Sequence, residues 1–138
     1  MTASVFFDTN VLVYAAVGTG RDERKRKRAL ELVGSAEFGT SAQVLQEFYV
    51  TVVKKAARPL SPAQALEWIE HWTAFPSRTI DHQLVRIAVG HSERYAISYW
   101  DAAIIAAAEA LGARTVYSED LNDGQHYGRV RVVNPFLD

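Results

Sequence analysis

The sequence predicts an α/β protein with a mostly parallel sheet and helices on both of its faces. Three observations carry that expectation. Short apolar runs such as Val5–Phe7, Thr115–Tyr117 and Val130–Val133 are too brief for helices. Longer stretches between them repeat apolar residues at helical spacing. Strands and helices alternate along the chain, as they do when crossover helices join parallel strands. At 138 residues the chain fits one domain, 1–138.

Each element has a local reason. Val5-Phe6-Phe7 stops at the polar triplet Asp8-Thr9-Asn10, the pattern of a buried strand running into a loop or a helix start. Val11 to Val17 is apolar enough for a packed helix, which Gly18 and Gly20 interrupt. Arg21 to Gly34 reads as a charged helix with Ala29, Leu30, Leu32 and Val33 as its late apolar residues. Glu37 to Thr40 is a candidate second strand. From Ala42 to Lys55, Val44, Leu45, Phe48, Tyr49 and Val52 form one helical face. Ser61, Pro62 and Gln64 mark the next helix with a cap, a first-position proline and a capping box; Leu66, Ile69 and Trp72 continue its face. Arg78 to Ile80 is a candidate short strand, and Asp81 can cap a helix to about Tyr95. Ser98 to Leu111 is a helix ended by Gly112, Thr115 to Tyr117 a strand, Ser118 to Gly124 a polar loop, and Val130 to Val133 the last strand before Asn134-Pro135.

Composition narrows the function. The formal charge is −1, with 49% hydrophobic and 22% charged residues, which argues against a purely electrostatic nucleic-acid binder. With no cysteine, disulfides, thiolate metal sites and a cysteine nucleophile are excluded. Met1-Thr2-Ala3-Ser4 lacks the basic region and apolar run of a signal peptide, and the longest apolar stretch, Ala102 to Ala108, is too short to span a bilayer. A cytoplasmic location, away from membranes, is the expectation.

In open α/β sheets ligands bind beyond the carboxyl ends of the strands. Asp8 follows the first strand and Asp120 comes three residues after Tyr117. Asp101 sits in the first turn of the intervening helix, and Glu47 borders the apolar stripe of its own helix. Clustered carboxylates repel one another unless a cation joins them. Hard oxygen donors suit Mg²⁺ or Mn²⁺, which can acidify a bound water and polarise a phosphodiester. Each acid also has a plain structural reading. Asp8 can cap a helix, Asp101 can close a box with Ser98, Glu47 can face solvent, and Asp120 and Asp123 can form turns.

Taken together, these segments resemble a known family. Val5 to Tyr14 resembles the opening of PIN-domain nucleases. Gln46-Glu47-Phe48 is similar to their second acidic motif, Ser98 to Ala108 to the third, and Ser118 to Gln125 to the fourth. Val132 to Phe136 fits the close, and the order, spacing and length resemble VapC toxins of toxin–antitoxin pairs. The resemblance implies a three-layer αβα sandwich and a Mg²⁺- or Mn²⁺-dependent endoribonuclease. It implies an RNA substrate, a homodimer and a VapB-type antitoxin that can reach the acidic pocket with an Arg or Lys. Asp8, Glu47, Asp101 and Asp120 match the catalytic quartet. Asp8, Asp101, Asp120 and Asp123 match metal-binding acids, and Thr9, Asn10 and Ser118 match the polar residues that support them.

Other features have two readings. The run Arg21 to Arg28 is a solvated helix start or, through Arg24, Arg26 and Arg28, an RNA phosphate patch. Tyr49, Trp68, Trp72, Phe75 and Trp100 are expected to pack rather than stack on bases. His71, His82, His91 and His126 show no metal spacing. Rival functions are a PIN module that binds RNA or antitoxin without cleaving, and a haloacid-dehalogenase-type phosphatase. The second wants an aspartate where this chain has Asn10.

Overall fold

The computed structural model describes residues 2–35 and 37–137. Its strands are β1 Val5–Phe7, β2 Phe38–Ser41, β3 Ser77–Arg78, β4 Thr115–Tyr117, β5 His126–Tyr127 and β6 Val130–Val133. Its helices are α1 Thr9–Val17, α2 Glu23–Ser35, α3 Ala42–Val50, α4 Pro62–Trp72, α5 His82–Tyr95 and α6 Tyr99–Ala110. The strands form one sheet in the order β3-β2-β1-β4-β6-β5. Every pairing is parallel except the β5–β6 hairpin.

The strand order dictates the layers. From β1 the chain steps outward to β2 and again to β3, so right-handed crossovers put α1 to α4 on one face. It then returns past β1 to β4, and the same handedness puts α5 and α6 on the other face. The result is the three-layer αβα arrangement expected from the sequence. The order reverses between β1 and β4, so their carboxyl ends flank the crevice in which such sheets hold ligands.

The core lies along both sides of this seam. Phe38 stacks between Phe7 (4.4 Å) and Phe75 (4.5 Å), and Trp72 meets Phe48 edge-on at 4.8 Å. Trp72 and Phe48 are fully buried and Trp68 is half-buried, so these aromatics pack as expected. Across the sheet, Ala102, Ala103 and Ala106 of α6 meet Leu84 and Ala88 of α5. Their small side chains let the two helices approach closely. Gly39 serves the same closeness, because a Cβ there would lie 2.6 Å from Leu111 Cδ1.

Several boundaries move for local reasons. The Asp8 carboxylate accepts from the Thr9 amide at 2.7 Å, so α1 begins two residues before Val11. The predicted helix from Ala42 to Lys55 is α3 continued by a π-helical turn, Thr51–Lys55. The second strand lies one residue later than Glu37–Thr40. The third ends at Arg78, whose guanidinium donates to Thr79 O and Asp81 as the chain turns into α5. Leu66 departs from its expected face and is 51% exposed; Ala65 and Trp72 are the buried residues of α4. The two-residue strand β5 was not expected. Gly128, at φ +61°, turns it back onto β6. Among the described residues no helix is long and apolar enough to cross a membrane.

The basic run has protein partners. Arg24 Nη2 donates to Phe136 O at 3.0 Å and Arg28 Nε to Pro135 O at 3.2 Å, so α2 grips the carboxyl-terminal segment. Arg26 lies 3.6 Å from Glu23 and Arg28 3.4 Å from Glu31. Replacing Arg24 and Arg28 together with alanine is expected to cost about 1–2 kcal/mol, since these are charge-assisted bonds at partly exposed sites. A denaturant melt measures it, and an unchanged midpoint would show that the grip contributes nothing.

Candidate active site

The seam between β1 and β4 positions the first acids. The Asp8 amide donates to Tyr117 O at 3.0 Å, and the Ser118 amide to Val133 O at 3.1 Å. Both residues are thereby fixed at the carboxyl edge of the sheet. A cavity of about 520 Å³ opens above them. Asp8, Asp101, Asp120 and Glu47 all line it, together with Thr9 and Asn10. Glu47 arrives from α3. Asp101 arrives from the first turn of α6, where the Ser98 hydroxyl accepts from the Asp101 amide at 3.1 Å. Capping and site roles therefore coexist at both ends: Asp8 caps α1, Ser98 caps α6, and the two carboxylates still face one cavity.

A polar network orders the carboxylates. Ser118, fully buried, donates to Asp8 Oδ2 at 2.8 Å and accepts from the Asp120 amide at 3.1 Å. Thr9 Oγ1 donates to Glu47 Oε1 at 2.9 Å. Asn10 Nδ2 donates to Asp120 Oδ2 at 3.2 Å, and its Oδ1 accepts from the Glu119 amide at 3.4 Å. Each of the three polar residues singled out from the sequence thus donates a side-chain hydrogen bond to a carboxylate of the cluster. Asn10 spends its amide on Asp120 and has no proton-transferring carboxyl, which removes the phosphatase reading.

Electrostatics mark the cluster as short of positive charge. Burial pushes Asp8 up from an ordinary 3.8 to about 6, and the Asp120 and Glu47 charges push the same way. The bonds from Ser118 and Thr9 oppose them. Asp101 is also raised, by burial first and then by Asp120, against the Ser118-like help it receives from Ser98. Below Asp101, burial and then the Asp101 charge raise the Tyr127 phenol.

The donors offered are carboxylate oxygens and the hydroxyl and amide groups around them, a hard set that suits Mg²⁺ or Mn²⁺. Among the described residues no three acidic or imidazole side chains converge as a ready-made cage. Mg²⁺ does not require one, because it keeps several waters and takes one or two carboxylates directly. The donor set therefore fits such an ion.

Removal of the Ser118 hydroxyl tests the network. Ser118→Ala leaves Asp8 without the bond that lowers its pKa, so the Asp8 carboxyl should rise further. Activity at this cluster is expected to fall about 10–100-fold, the usual cost of an outer-sphere partner. The acidic limb of the pH–rate profile should shift to higher pH, and an unmoved limb would disconnect Ser118 from the reaction.

Not every expected residue reaches the cavity. Asp123 does not: its Oδ1 accepts from the Asn134 amide at 2.8 Å, so this exposed acid braces the loop after β4 against the end of β6. Arg24, Arg26 and Arg28 do not line the cavity either. Conversely, Gln43, Lys55, Tyr14 and Trp100 line it without having been singled out as site residues. Tyr14 belongs to a second cluster. Its hydroxyl donates to Glu119 Oε1, and Lys25 Nζ donates to Glu119 Oε2 at 2.9 Å and to the Tyr14 hydroxyl at 3.2 Å. Lys25 thereby neutralises the acid next to Asp120 and ties the loop to α1 and α2. Nothing in the local sequence pairs Lys25 with Glu119; the contact spans 94 residues.

The PIN domain family model matches residues 5–125. The chain is similar to the structure of VapC20 from Mycobacterium tuberculosis, described as a sarcin–ricin-loop-cleaving toxin. Identity is 22% and the TM-score 0.66, over 85% of this chain and 90% of that one. A toxin–antitoxin complex from Klebsiella pneumoniae gives a TM-score of 0.71 at 19% identity, over 96% and 98% of the two chains. DNA-bound VapBC from Salmonella typhimurium gives 0.62 at 19% identity, over 96% and 97%. No curated relative matches the sequence.

Proposed function

The chain belongs to the PIN-domain family, and from that premise we propose that it is a metal-dependent endoribonuclease, the toxin of a type II toxin–antitoxin pair. One observation carries the reading: Asp8, Glu47, Asp101 and Asp120 line a single cavity at the point where the strand order reverses. Asp8 and Asp101, with Asp120 beside them, would hold Mg²⁺ or Mn²⁺. Such an ion supplies charge neutralisation at the phosphate and an acidified water. Ser118 opposes the rise that burial imposes on Asp8, and Asn10 orients Asp120. Glu47, held at Oε1 by Thr9, has Oε2 to take a proton from the attacking water.

A VapB-type antitoxin is the proposed partner. A second cavity, of about 450 Å³, is lined by Leu45, Gln46, Tyr49, Val50 and Ile69 and shares Gln46 and Val50 with the acidic one. An apolar antitoxin segment seated there could extend an Arg or Lys to the carboxylates, pairing the charge they lack. A homodimer is proposed as well, with Val85 and Val89, which share an exposed face of α5, as apolar surface available to it.

The test is cleavage of total RNA by purified protein with Mg²⁺ or Mn²⁺, mapped by primer extension and repeated with EDTA. Discrete sites that vanish with EDTA are expected. No cleavage in either ion would leave a PIN module that binds without cutting.

A further inference from the structure

The first residue of interest is an aromatic in the wrong place for a core. Trp100 is 63% exposed, more than any other large hydrophobic side chain among the described residues. It was expected to pack, and the structure corrects this: it lines the acidic cavity beside Asp101. Exposure alone does not define a site, but three further features do. Tyr99, half-buried against the α5–α6 core, meets the Trp100 ring edge-on at 5.1 Å and 83°, which fixes the indole's plane. Gln43, 93% shielded on α3, donates from Nε2 to Trp100 O at 3.2 Å and ties the indole's backbone to the other wall of the cavity. Lys55 also lines that cavity, as the only basic residue to do so among the described residues.

We propose that Trp100 is a stacking platform for the unpaired nucleobase next to the scissile phosphate, and that Lys55 takes a neighbouring phosphate of the same single strand. The inference rests on the nuclease reading and adds how substrate is selected. The chemistry is consistent along the cavity. The carboxylates, holding a divalent ion, would take one phosphate. The indole and the Asp101 carboxylate line the same cavity from consecutive positions of α6. A base flanking that phosphate is then within reach of the ring, and an ammonium group suits the next phosphate. A paired base cannot present its face to the indole, so the platform favours single-stranded or extruded nucleotides. Trp100 selects and positions the strand; the bond-breaking groups remain the acids.

The experiment uses a short synthetic RNA that spans a cleavage site mapped in total RNA. Trp100→Ala is expected to raise KM about 5- to 150-fold with kcat little changed, as loss of one base stack predicts. Trp100→Phe should recover most of it, and both variants should melt like the parent because the side chain is exposed. Abasic riboses are then placed singly on either side of the scissile phosphate. One position should cost the parent the same factor and cost Trp100→Ala nothing further. Equal KM values for all three proteins would overturn the proposal. So would a Trp100→Ala protein that cleaves normally but no longer dimerises or no longer retains its antitoxin, since the indole would then be a protein contact. If the parent cleaves no RNA, the nuclease reading falls separately. Tryptophan fluorescence with oligouridylate and Ca²⁺ then decides: a quench lost in Trp100→Phe supports the platform, and no quench overturns it.

Discussion

Asp101→Asn is expected to lower RNA cleavage by at least about a hundredfold while the protein melts as before. The floor comes from metal sites in general, where even an outer-sphere partner is worth about 10–100-fold and a direct ligand more. Retention of the fold follows from how α6 is capped. Ser98 accepts from the Asp101 backbone amide, which asparagine keeps. The carboxylate itself gives the metal-free fold little, because burial and the Asp120 charge both raise its pKa and so disfavour its ionised form. The substitution is nearly isosteric, so Trp100 and Gln43 should keep their places. Initial rates on the mapped RNA with saturating Mg²⁺, beside a thermal melt, give both readouts. A variant that cuts at the parental rate would remove Asp101 from the site and with it the nuclease reading.

How far the sequence reveals this site depends on distance along the chain. The strand ends at Phe7 and Tyr117 are visible because each apolar run meets a polar residue, and parallel-sheet geometry then brings Asp8 and Asp120 to one edge. The capping serine and aspartate of α6 are equally local. Asp120 and Asp123 look alike in sequence, since both sit in a polar turn. Only the fold separates them, by sending Asp123 to the Asn134 amide and Asp120 to Asn10. The basic run of α2 likewise reads as solvent-facing or RNA-facing, and neither reading anticipates carbonyls of Pro135 and Phe136 more than 100 residues away. Trp100 shows the opposite failure. Aromatic side chains more often pack than stack on bases, so the sequence assigns it to packing even though it stands beside Asp101. The helix rotation that points Asp101 into the cavity also leaves the residue before it at the cavity's mouth.

Asp8→Asn should produce a protein that is more stable at neutral pH and inactive. Asp8 is 5% exposed, and its carboxyl titrates at about 6 in the folded chain against an ordinary 3.8. Between those two values the folded state holds a proton that the unfolded state has released. Stability of the metal-free protein therefore declines as pH rises from about 4 to about 6, and stays lower above that. The shift of about two pKa units corresponds to roughly 3 kcal/mol at pH 7.5. Asparagine carries no charge to desolvate, so it escapes this cost. It can still accept from the Thr9 amide through one oxygen, but its amide must donate to Ser118, which the aspartate does not ask of it. A net gain of about 1–3 kcal/mol is expected, several degrees in Tm for a chain of this size. The gain should shrink as pH falls, because the parental Asp8 becomes neutral too. Mg²⁺ or Mn²⁺ should raise the parent's Tm at pH 7.5 and leave the variant's unchanged, since an ion stabilises only a fold that binds it. Melts at pH 4.5 and 7.5, with and without the ion, separate these effects. A variant no more stable than its parent at pH 7.5 would show that the buried carboxylate already has a compensating partner. A variant that still cleaved RNA would show that the cluster's most buried acid is structural.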